Sequence, residues 1–381
     1  MVFSSLIFLY AFFPLSLLGC VLCRTKAQRN TVLLISSLIF YAWGEPVYVL
    51  LLMFMALSSW LCALRVVQGA TRAARRGWVA VSCAVDILLI GFFKYAGLVC
   101  SVFGPVPDFI SRIALPIGIS FYTFQLLTYV VDVYRGDAPA QRRYRDVLLY
   151  AALFHQCIAG PIVRYKTIGA ELFGEAPAKC EWAPGVSRFC IGLAKKALLA
   201  NPCGALADAL ILPNPAADAA AVSAAAETLS KQSVLGLWLG VAAYALQIYL
   251  DFSAYSDMAI GMGKMLGLHY PENFNYPYIA GSVKDFWRRW HMTLSTFFRD
   301  YVYIPLGGSR RGTGRWIFNM LVVWALTASA DGFGRISASA SAPQGFASSA
   351  FFASPMQKRE TPGVHSFCAG ASPKSSAPMA L

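Results

Sequence analysis

Charge is scarce in this sequence. Only 13% of its 381 residues are Asp, Glu, Lys or Arg, whereas an ordinary soluble domain carries about a quarter. The hydrophobic fraction is 57%, and the mean hydropathy is +0.54. This balance excludes an ordinary soluble domain. It also argues against a nucleic-acid partner, because the formal net charge of +13 is not gathered on a soluble basic face.

The sequence also lacks any metal-ligand spacing. Its ten cysteines are scattered and lie mostly in apolar stretches, so no metal site is expected. No internal repeat is evident. No Lys or Arg precedes the first apolar run, residues 3–22. A retained first helix is therefore expected there, rather than a cleaved signal peptide.

Long apolar runs are what the sequence does contain. A helix crosses a bilayer with about 20 mostly apolar residues. Runs near that length occur at residues 3–22, 31–43, 47–64, 77–93, 113–133, 147–163, 186–199, 234–250 and 316–328. They predict about eight to ten membrane segments. The expected fold class is all-α, a polytopic helical bundle surrounded by membrane lipid.

Three basic loops separate these runs, at residues 24–29, 65–76 and 135–145. Short loops rich in Lys and Arg stay on the cytoplasmic side of a membrane. The apolar runs between the loops allow all three to lie on that side, with the N-terminus outside.

The composition changes abruptly after Thr327. Residues 328–381 are dominated by Ala, Ser, Gly and Pro, and they contain no run long enough to span a membrane. Such a segment cannot bury enough apolar surface to offset the entropy of ordering it. The sequence therefore predicts a transmembrane domain over residues 1–327 and a disordered tail over residues 328–381.

Two apolar segments carry polar residues on one helical face. Polar groups inside a membrane are costly and are functional candidates. In residues 115–136, helical spacing places Gln125, Thr128, Tyr129 and Asp132 together. In residues 244–278, Tyr244, Gln247, Asp251 and Tyr255 share one face, and Asp257 is a second carboxylate in the same apolar context. For both groups, the sequence allows either hydrogen bonds between helices or the lining of a substrate cavity.

A third candidate is the segment KDFWRRWHMTLSTFFRDYVYIPLGG, residues 284–308. If residues 284–299 form one helix, Lys284, Arg288, His291 and Ser295 share a face, while Arg289 pairs with Asp285. Its tryptophans and arginines favour the membrane–water boundary. Nearby cations would lower the pKa of His291 and keep it neutral. A neutral imidazole is a plausible general base.

At these residues the sequence resembles the membrane-bound O-acyltransferase family, in its branch of alginate O-acetyltransferases. The similar stretches cover residues 1 to about 327. They include the stretches LPIGISFYTFQLLTYVVDVYRG, FHQCIAGPIVRY, FCIGLAKKALLAN, DFSAYSDMAIGMGKMLGLHYPENFNYPY and DFWRRWHMTLSTFFRDYVYIPLGGSR. The resemblance implies a multi-pass protein of the bacterial inner membrane, with a tunnel joining a cytoplasmic acyl donor to an acceptor outside.

The resemblance also implies an activity. Acetyl groups would pass from acetyl-CoA or an acyl carrier toward hydroxyls of an exported polysaccharide, and periplasmic polysaccharide-acetylation proteins would complete the modification. No bound cofactor is expected. The segment 284–308 would form the donor side of the tunnel. Its candidate donor contacts are Lys284, Arg288, Arg289, Trp290 and Ser295.

His291 matches the first of the family's two histidine positions. The second follows in a Trp-His-Gly motif, which occurs nowhere in this sequence. Truncation or a frameshift near residue 328 is the expected explanation, and the chain could then be a catalytically dead remnant. The sequence leaves two more functions open. One is a D-alanyl transferase for teichoic acid, and the second is a transporter or flippase, because intramembrane carboxylates also suit a transport pathway.

Overall fold

The computed structural model describes residues 3–330, except 105, 112, 158–159, 176–178 and 212–228. Within these residues it is helical and contains no β-strand, which confirms the all-α fold. The helices are α1 (Phe13–Leu22), α2 (Lys26–Gly44), α3 (Tyr48–Gln68), α4 (Arg72–Phe103), α5 (Asp108–Ser111), α6 (Ile119–Arg135), α7 (Tyr144–Ala152), α8 (Tyr165–Phe173), α9 (Trp182–Ala194), α10 (Asn201–Leu210), α11 (Val234–Met265), α12 (Val283–Arg289), α13 (Met292–Phe298) and α14 (Thr313–Ala330).

Within the described residues, three π-helical turns adjoin these helices. They lie before α1 (Phe8–Phe12), after α9 (Lys195–Ala200) and after α13 (Arg299–Tyr303). The tail that the sequence assigns to residues 328–381 begins inside α14, and residues 331–381 lie outside the described part of the chain.

Side chains set where several helices begin. Thr25 and Gln28 form a reciprocal capping box at the start of α2. The hydroxyl of Thr71 accepts from the N–H of Ala74 at 3.1 Å to begin α4, and the hydroxyl of Ser233 accepts from the N–H of Gly236 at 3.1 Å to begin α11. These contacts satisfy backbone donors that have no partner inside a helix.

Three helices of the described residues are long and apolar enough to cross a membrane: Tyr48–Gln68, Arg72–Gly97 and Val234–Met265. Phe8–Leu22 is a shorter apolar helix. The count is below the expected eight to ten, because several apolar runs are not continuous helices. Gly118 precedes α6 in a left-handed conformation, with φ 76°, and α7 ends at Ala152. The apolar runs at 113–133 and 147–163 therefore form helices of only 17 and 9 residues.

The pairing of α9 with α11 depends on glycine. A Cβ added at Gly192 would lie 2.8 Å from the carbonyl oxygen of Ala254, and one added at Gly261 would lie 2.6 Å from the backbone nitrogen of Phe189. Only glycine permits backbones to approach this closely. The contact fixes α11, from whose C-terminal end the chain leads directly to the candidate site.

The three basic loops gather around the short helix α8. Lys26 donates to the carbonyl of Gly174 at 2.7 Å, just beyond the end of α8. Lys166, at its start, pairs with Asp137 at 3.0 Å. Arg76 of the middle loop donates to the hydroxyl of Tyr134 at 3.2 Å. The fold therefore places the loops close enough together to share one side of a membrane.

Candidate active site around His291

Residues 284–299 are not one helix, so the predicted helical face is wrong. Helix α12 ends at Arg289, Trp290 is extended, and His291 adopts a left-handed conformation with φ 43° before α13 begins. A side chain other than glycine rarely adopts this conformation, which tertiary contacts must hold in place. Here the N–H of Met292 donates to the carbonyl of Asn273 at 2.9 Å, and this contact holds the turn.

The side chain of Asn273 determines which nitrogen of His291 carries the proton. Asn273 is fully buried, and its Oδ1 lies 3.3 Å from the backbone nitrogen of Thr293. A backbone N–H can only donate, so the facing atom must be the amide oxygen, which can only accept. The same oxygen lies 2.9 Å from Nδ1 of His291. Nδ1 therefore carries the hydrogen, and the lone pair of the neutral ring is on Nε2.

A second contact confirms the orientation of the amide. The hydroxyl of Thr293 accepts from the N–H of Ile162 at 3.1 Å, so its own hydrogen is available to Oδ1 of Asn273, at 2.8 Å. Within the described chain Nε2 of His291 has no hydrogen-bond partner. The imidazole is thus held through one nitrogen and presents the other as a proton acceptor.

Burial, not neighbouring cations, keeps His291 neutral. The ring is 7% exposed and packs edge-on against Phe252, with 4.8 Å between the ring centroids. Removal from water lowers the pKa of His291 well below its ordinary value. The expectation that nearby cations lower this pKa is wrong, because burial alone accounts for the lowered value.

The cations of the predicted helical face, Lys284 and Arg288, line a separate, neighbouring cavity of about 1190 Å³. Lys284, Arg288 and Ser295, all candidates from the sequence, lie on its wall, and His291 does not. Met292, the next residue, does. Arg299, Arg310 and Arg311 add three further positive charges to the lining.

Two other candidates of this segment face away from the cavity. Arg289 pairs with Asp285 at 2.9 Å, as the four-residue spacing predicts. Trp290 is buried and stacks on Phe286, with 5.6 Å between the ring centroids. Both are placed to support the turn at His291.

The polar face of α6 is buried and mostly engaged by hydrogen bonds between elements. Asp132 accepts from the hydroxyl of Tyr301 at 2.5 Å and from the N–H of Lys166 at 3.2 Å. Thr128 lies 3.0 Å from the hydroxyl of Tyr150. Gln125 differs, because neither polar atom of its buried side chain has a partner among the residues that the structure describes. The contacts of Asp132 and Thr128 favour interhelical bonding, whereas Gln125 remains a candidate for lining a cavity.

The carboxylates of α11 form ion pairs with the α9 region. Asp251 lies 2.8 Å from Nζ of Lys196. Asp257 lies 2.7 Å from Arg188 and 2.5 Å from Lys195. Sequence reasoning missed these three cations as partners. Their spacing of seven and eight residues, which places them on one helical face, is the signal that could have found them.

The remaining two candidates of α11 lie in packing contacts. Tyr255 stacks on Phe3, with 4.5 Å between the ring centroids, and Gln247 faces the backbone of Gly204. Neither contacts His291. The site thus consists of His291, Asn273 and Thr293, beside the cationic cavity.

Comparison with known proteins finds a matching family and several relatives. Residues 141–330 match the membrane-bound O-acyltransferase family. A probable alginate O-acetylase AlgI of Pseudomonas aeruginosa is 40% identical over 336 residues, which cover 86% of this chain and 61% of that protein. A peptidoglycan O-acetyltransferase of Helicobacter pylori is 30% identical, with 81% and 62% covered.

A teichoic acid D-alanyltransferase of Bacillus subtilis is 30% identical over a shorter region, 49% of this chain and 45% of that protein. The chain spans about three fifths of the length of the first two relatives. Both His291 and its hydrogen-bond partner Asn273 lie within the residues that the family match covers. The chain therefore belongs to the membrane-bound O-acyltransferase family.

Proposed function

We propose that this chain forms the histidine-bearing part of a membrane O-acetyltransferase acting on a polysaccharide. The observation that carries the proposal is the Nε2 lone pair of His291, fixed by Asn273. A base held in this way suits removal of a proton from a sugar hydroxyl. The relatives reported above that cover most of the chain support this proposal, because their names describe O-acetylating enzymes.

In the proposed reaction, Nε2 of His291 takes the hydroxyl proton as the sugar oxygen attacks the carbonyl carbon of an acetyl thioester. A carbon–oxygen bond forms, the carbon–sulfur bond breaks, and the proton passes to the departing sulfur. Positioned proton transfer of this kind contributes about 10²–10⁴-fold to a rate.

The cationic cavity is the proposed donor site. Acetyl-CoA and the phosphopantetheine of an acyl carrier both carry phosphate groups, at the end of the pantetheine arm opposite to the thioester. Lys284, Arg288 and Arg299 lie on the cavity wall and suit binding of phosphate by charge. The cavity therefore supports a thioester donor entering beside His291, from the side of the basic loops.

The proposed setting is a multi-pass protein of a bacterial inner membrane. The donor would be cytoplasmic, the acceptor would be an exported polysaccharide such as alginate, and periplasmic acetylation proteins would be partners. The three apolar helices and the clustered basic loops support a membrane location and a common side for those loops.

One sequence feature favours a second proposal, that turnover needs residues this chain does not contain. The sequence has no Trp-His-Gly motif, so only the first of the two family histidine positions is present.

Transfer of D-alanine is another candidate function, favoured by the similarity to a teichoic acid D-alanyltransferase. A transporter or flippase role gains no support from the ion pairs of Asp251 and Asp257, which neutralise both carboxylates.

The test uses two proteins in a bacterial strain lacking its own acetyltransferase. One is the chain as it stands, and the second, termed the extended chain, joins residues 1–330 to the C-terminal part of the Pseudomonas aeruginosa relative. We expect alkali to release acetate from the polysaccharide of cells with the extended chain. Release of D-alanine instead would replace the proposed acyl group, and release of neither would contradict the proposal.

A further inference from the structure

A second, smaller cavity lies where α4 begins, α6 ends and α8 begins. Its volume is about 620 Å³. We term it the arginine pocket, because Arg72, Arg76 and Arg135 lie on its wall with Lys166. The only carboxylate among its described lining residues is that of Asp300.

The charges of Lys166 and Asp300 are already balanced. Asp300 lies 2.6 Å from Arg164 and 2.7 Å from Arg299, and neither arginine lines the pocket. Lys166 lies 3.0 Å from Asp137, outside the pocket. The positive charge of the three pocket arginines therefore remains in excess.

The three arginines have only uncharged partners among the described residues. Arg76 donates to the phenol oxygen of Tyr134 at 3.2 Å. Arg135 donates to the backbone carbonyl of Asp300 at 2.9 Å and lies over the ring of Tyr301, 5.0 Å from its centroid. No carboxylate in the described part of the chain lies within 4.0 Å of Arg72, Arg76 or Arg135. Three like charges around one concavity repel one another unless an anion joins them.

The chemistry of the walls indicates the kind of anion. A guanidinium group binds the oxygens of phosphate through two parallel hydrogen bonds. Val79, Ile304 and Pro305 add apolar surface, and Ile304 is 57% exposed. A ligand with a phosphate group next to an apolar chain matches both parts of the wall.

We propose that the arginine pocket binds a phosphate group, of the kind that an anionic phospholipid presents at the membrane surface. The three guanidiniums contact the phosphate oxygens, and the start of an acyl chain lies along Val79 and Ile304. This role is additional to acyl transfer, because the pocket has its own cations and shares only Asp300 and Ile304 with the larger cavity.

The experiment is a titration of the purified, delipidated full chain with phosphatidylglycerol, followed by native mass spectrometry. A second arm adds soluble glycerol 3-phosphate as competitor. The pocket variant carries Arg72→Gln, Arg76→Gln and Arg135→Gln. The matched control carries Arg24→Gln, Arg142→Gln and Arg143→Gln, which remove the same charge from exposed positions in the basic loops.

We expect the pocket variant to bind phosphatidylglycerol about tenfold more weakly or worse, since charged hydrogen bonds are lost, and the control to bind as the parent does. If glycerol 3-phosphate binds with the same dependence on the arginines and phosphatidylglycerol does not, the phosphate comes from a soluble source. Equal binding by the pocket variant and the control in both arms would overturn the proposal. The single variant Arg135→Gln repeats the comparison with the smallest change.

Discussion

A buried amide defines the chemical state of the candidate base. Asn273 accepts from Nδ1 of His291, while its Nδ2 has no partner among the described residues. His291 could be singled out from the sequence because it stands among cations and tryptophans. Asn273 could not, because its contact depends on a left-handed turn at His291 that no local preference encodes.

Replacing Asn273 by Ala removes the acceptor that fixes the imidazole. Nδ1 and Nε2 can then exchange the proton, and the ring can rotate. We expect the acetylation rate of the extended chain to fall about 10- to 100-fold, by analogy with the loss of a group that orients a metal-binding histidine. The acetylation rate is measured as the acetate released per cell, normalised to the amount of the variant in the membrane. An unchanged rate would contradict a positioning role.

Replacing Asn273 by Asp changes the pH dependence instead. Burial lowers the pKa of His291, so the parent ring stays in its base form across about pH 5–8. A carboxylate beside Nδ1 still accepts its hydrogen but favours the charged ring, and so raises this pKa. The rate of Asn273→Asp should therefore fall as the pH drops toward 5, while the parent rate does not. The test compares the acetylation rates of the parent and of Asn273→Asp in membrane vesicles across this pH range. Superimposable pH profiles for the two proteins would refute the prediction.

Close packing between α9 and α11 positions the site through its backbone. Apolar runs identified both segments from the sequence, and the two carboxylates of α11 were singled out because they lie in an apolar context. Their cationic partners Arg188, Lys195 and Lys196 share a helical spacing, but which carboxylates they meet depends on packing between segments that are distant in the sequence. The same limitation applies to residues 284–299, where a regular helix was expected and two short helices are found.

Replacing Gly192 by Ala should force α9 away from α11. The added Cβ would lie 2.8 Å from the carbonyl oxygen of Ala254 and 2.9 Å from Cγ of Met258. Overpacking of this kind costs about 1–3 kcal/mol. We expect a lower midpoint of thermal unfolding in detergent, followed by tryptophan fluorescence. Gly77→Ala in α4 is the control, since its Cβ meets nothing within 4 Å. Equal midpoints for the two variants would contradict the packing argument.

The arrangement of the whole chain brings its basic loops together. Their common side was predicted from Lys and Arg content alone, and their contacts around α8 support it. The number of spanning helices was harder to predict. An apolar run can be buried inside the protein instead of facing lipid. Tyr150 and Ala151 belong to one such run and are fully buried inside the bundle.

Cysteine labelling in intact cells tests the sidedness of the loops. Ala27→Cys, Ala73→Cys and Arg142→Cys place one thiol in or next to each basic loop, in a background where the exposed Cys180 and Cys190 are Ser. We expect none to react with a membrane-impermeant maleimide, since basic loops stay inside. Pro46→Cys, beyond the opposite end of α2, should react. Labelling of one or two basic loops but not the third would contradict this arrangement.

The role of His291 is tested most directly by the acetylation rate of the extended chain with His291→Ala. Loss of a positioned general base predicts a fall of about 10²–10⁴-fold. His269→Ala is the matched control, because that histidine is partly exposed and lies 3.0 Å from Glu171, and it should keep the parent rate. A parent-like rate for His291→Ala, with both variants at equal amounts in the membrane, would show that the proton is taken elsewhere.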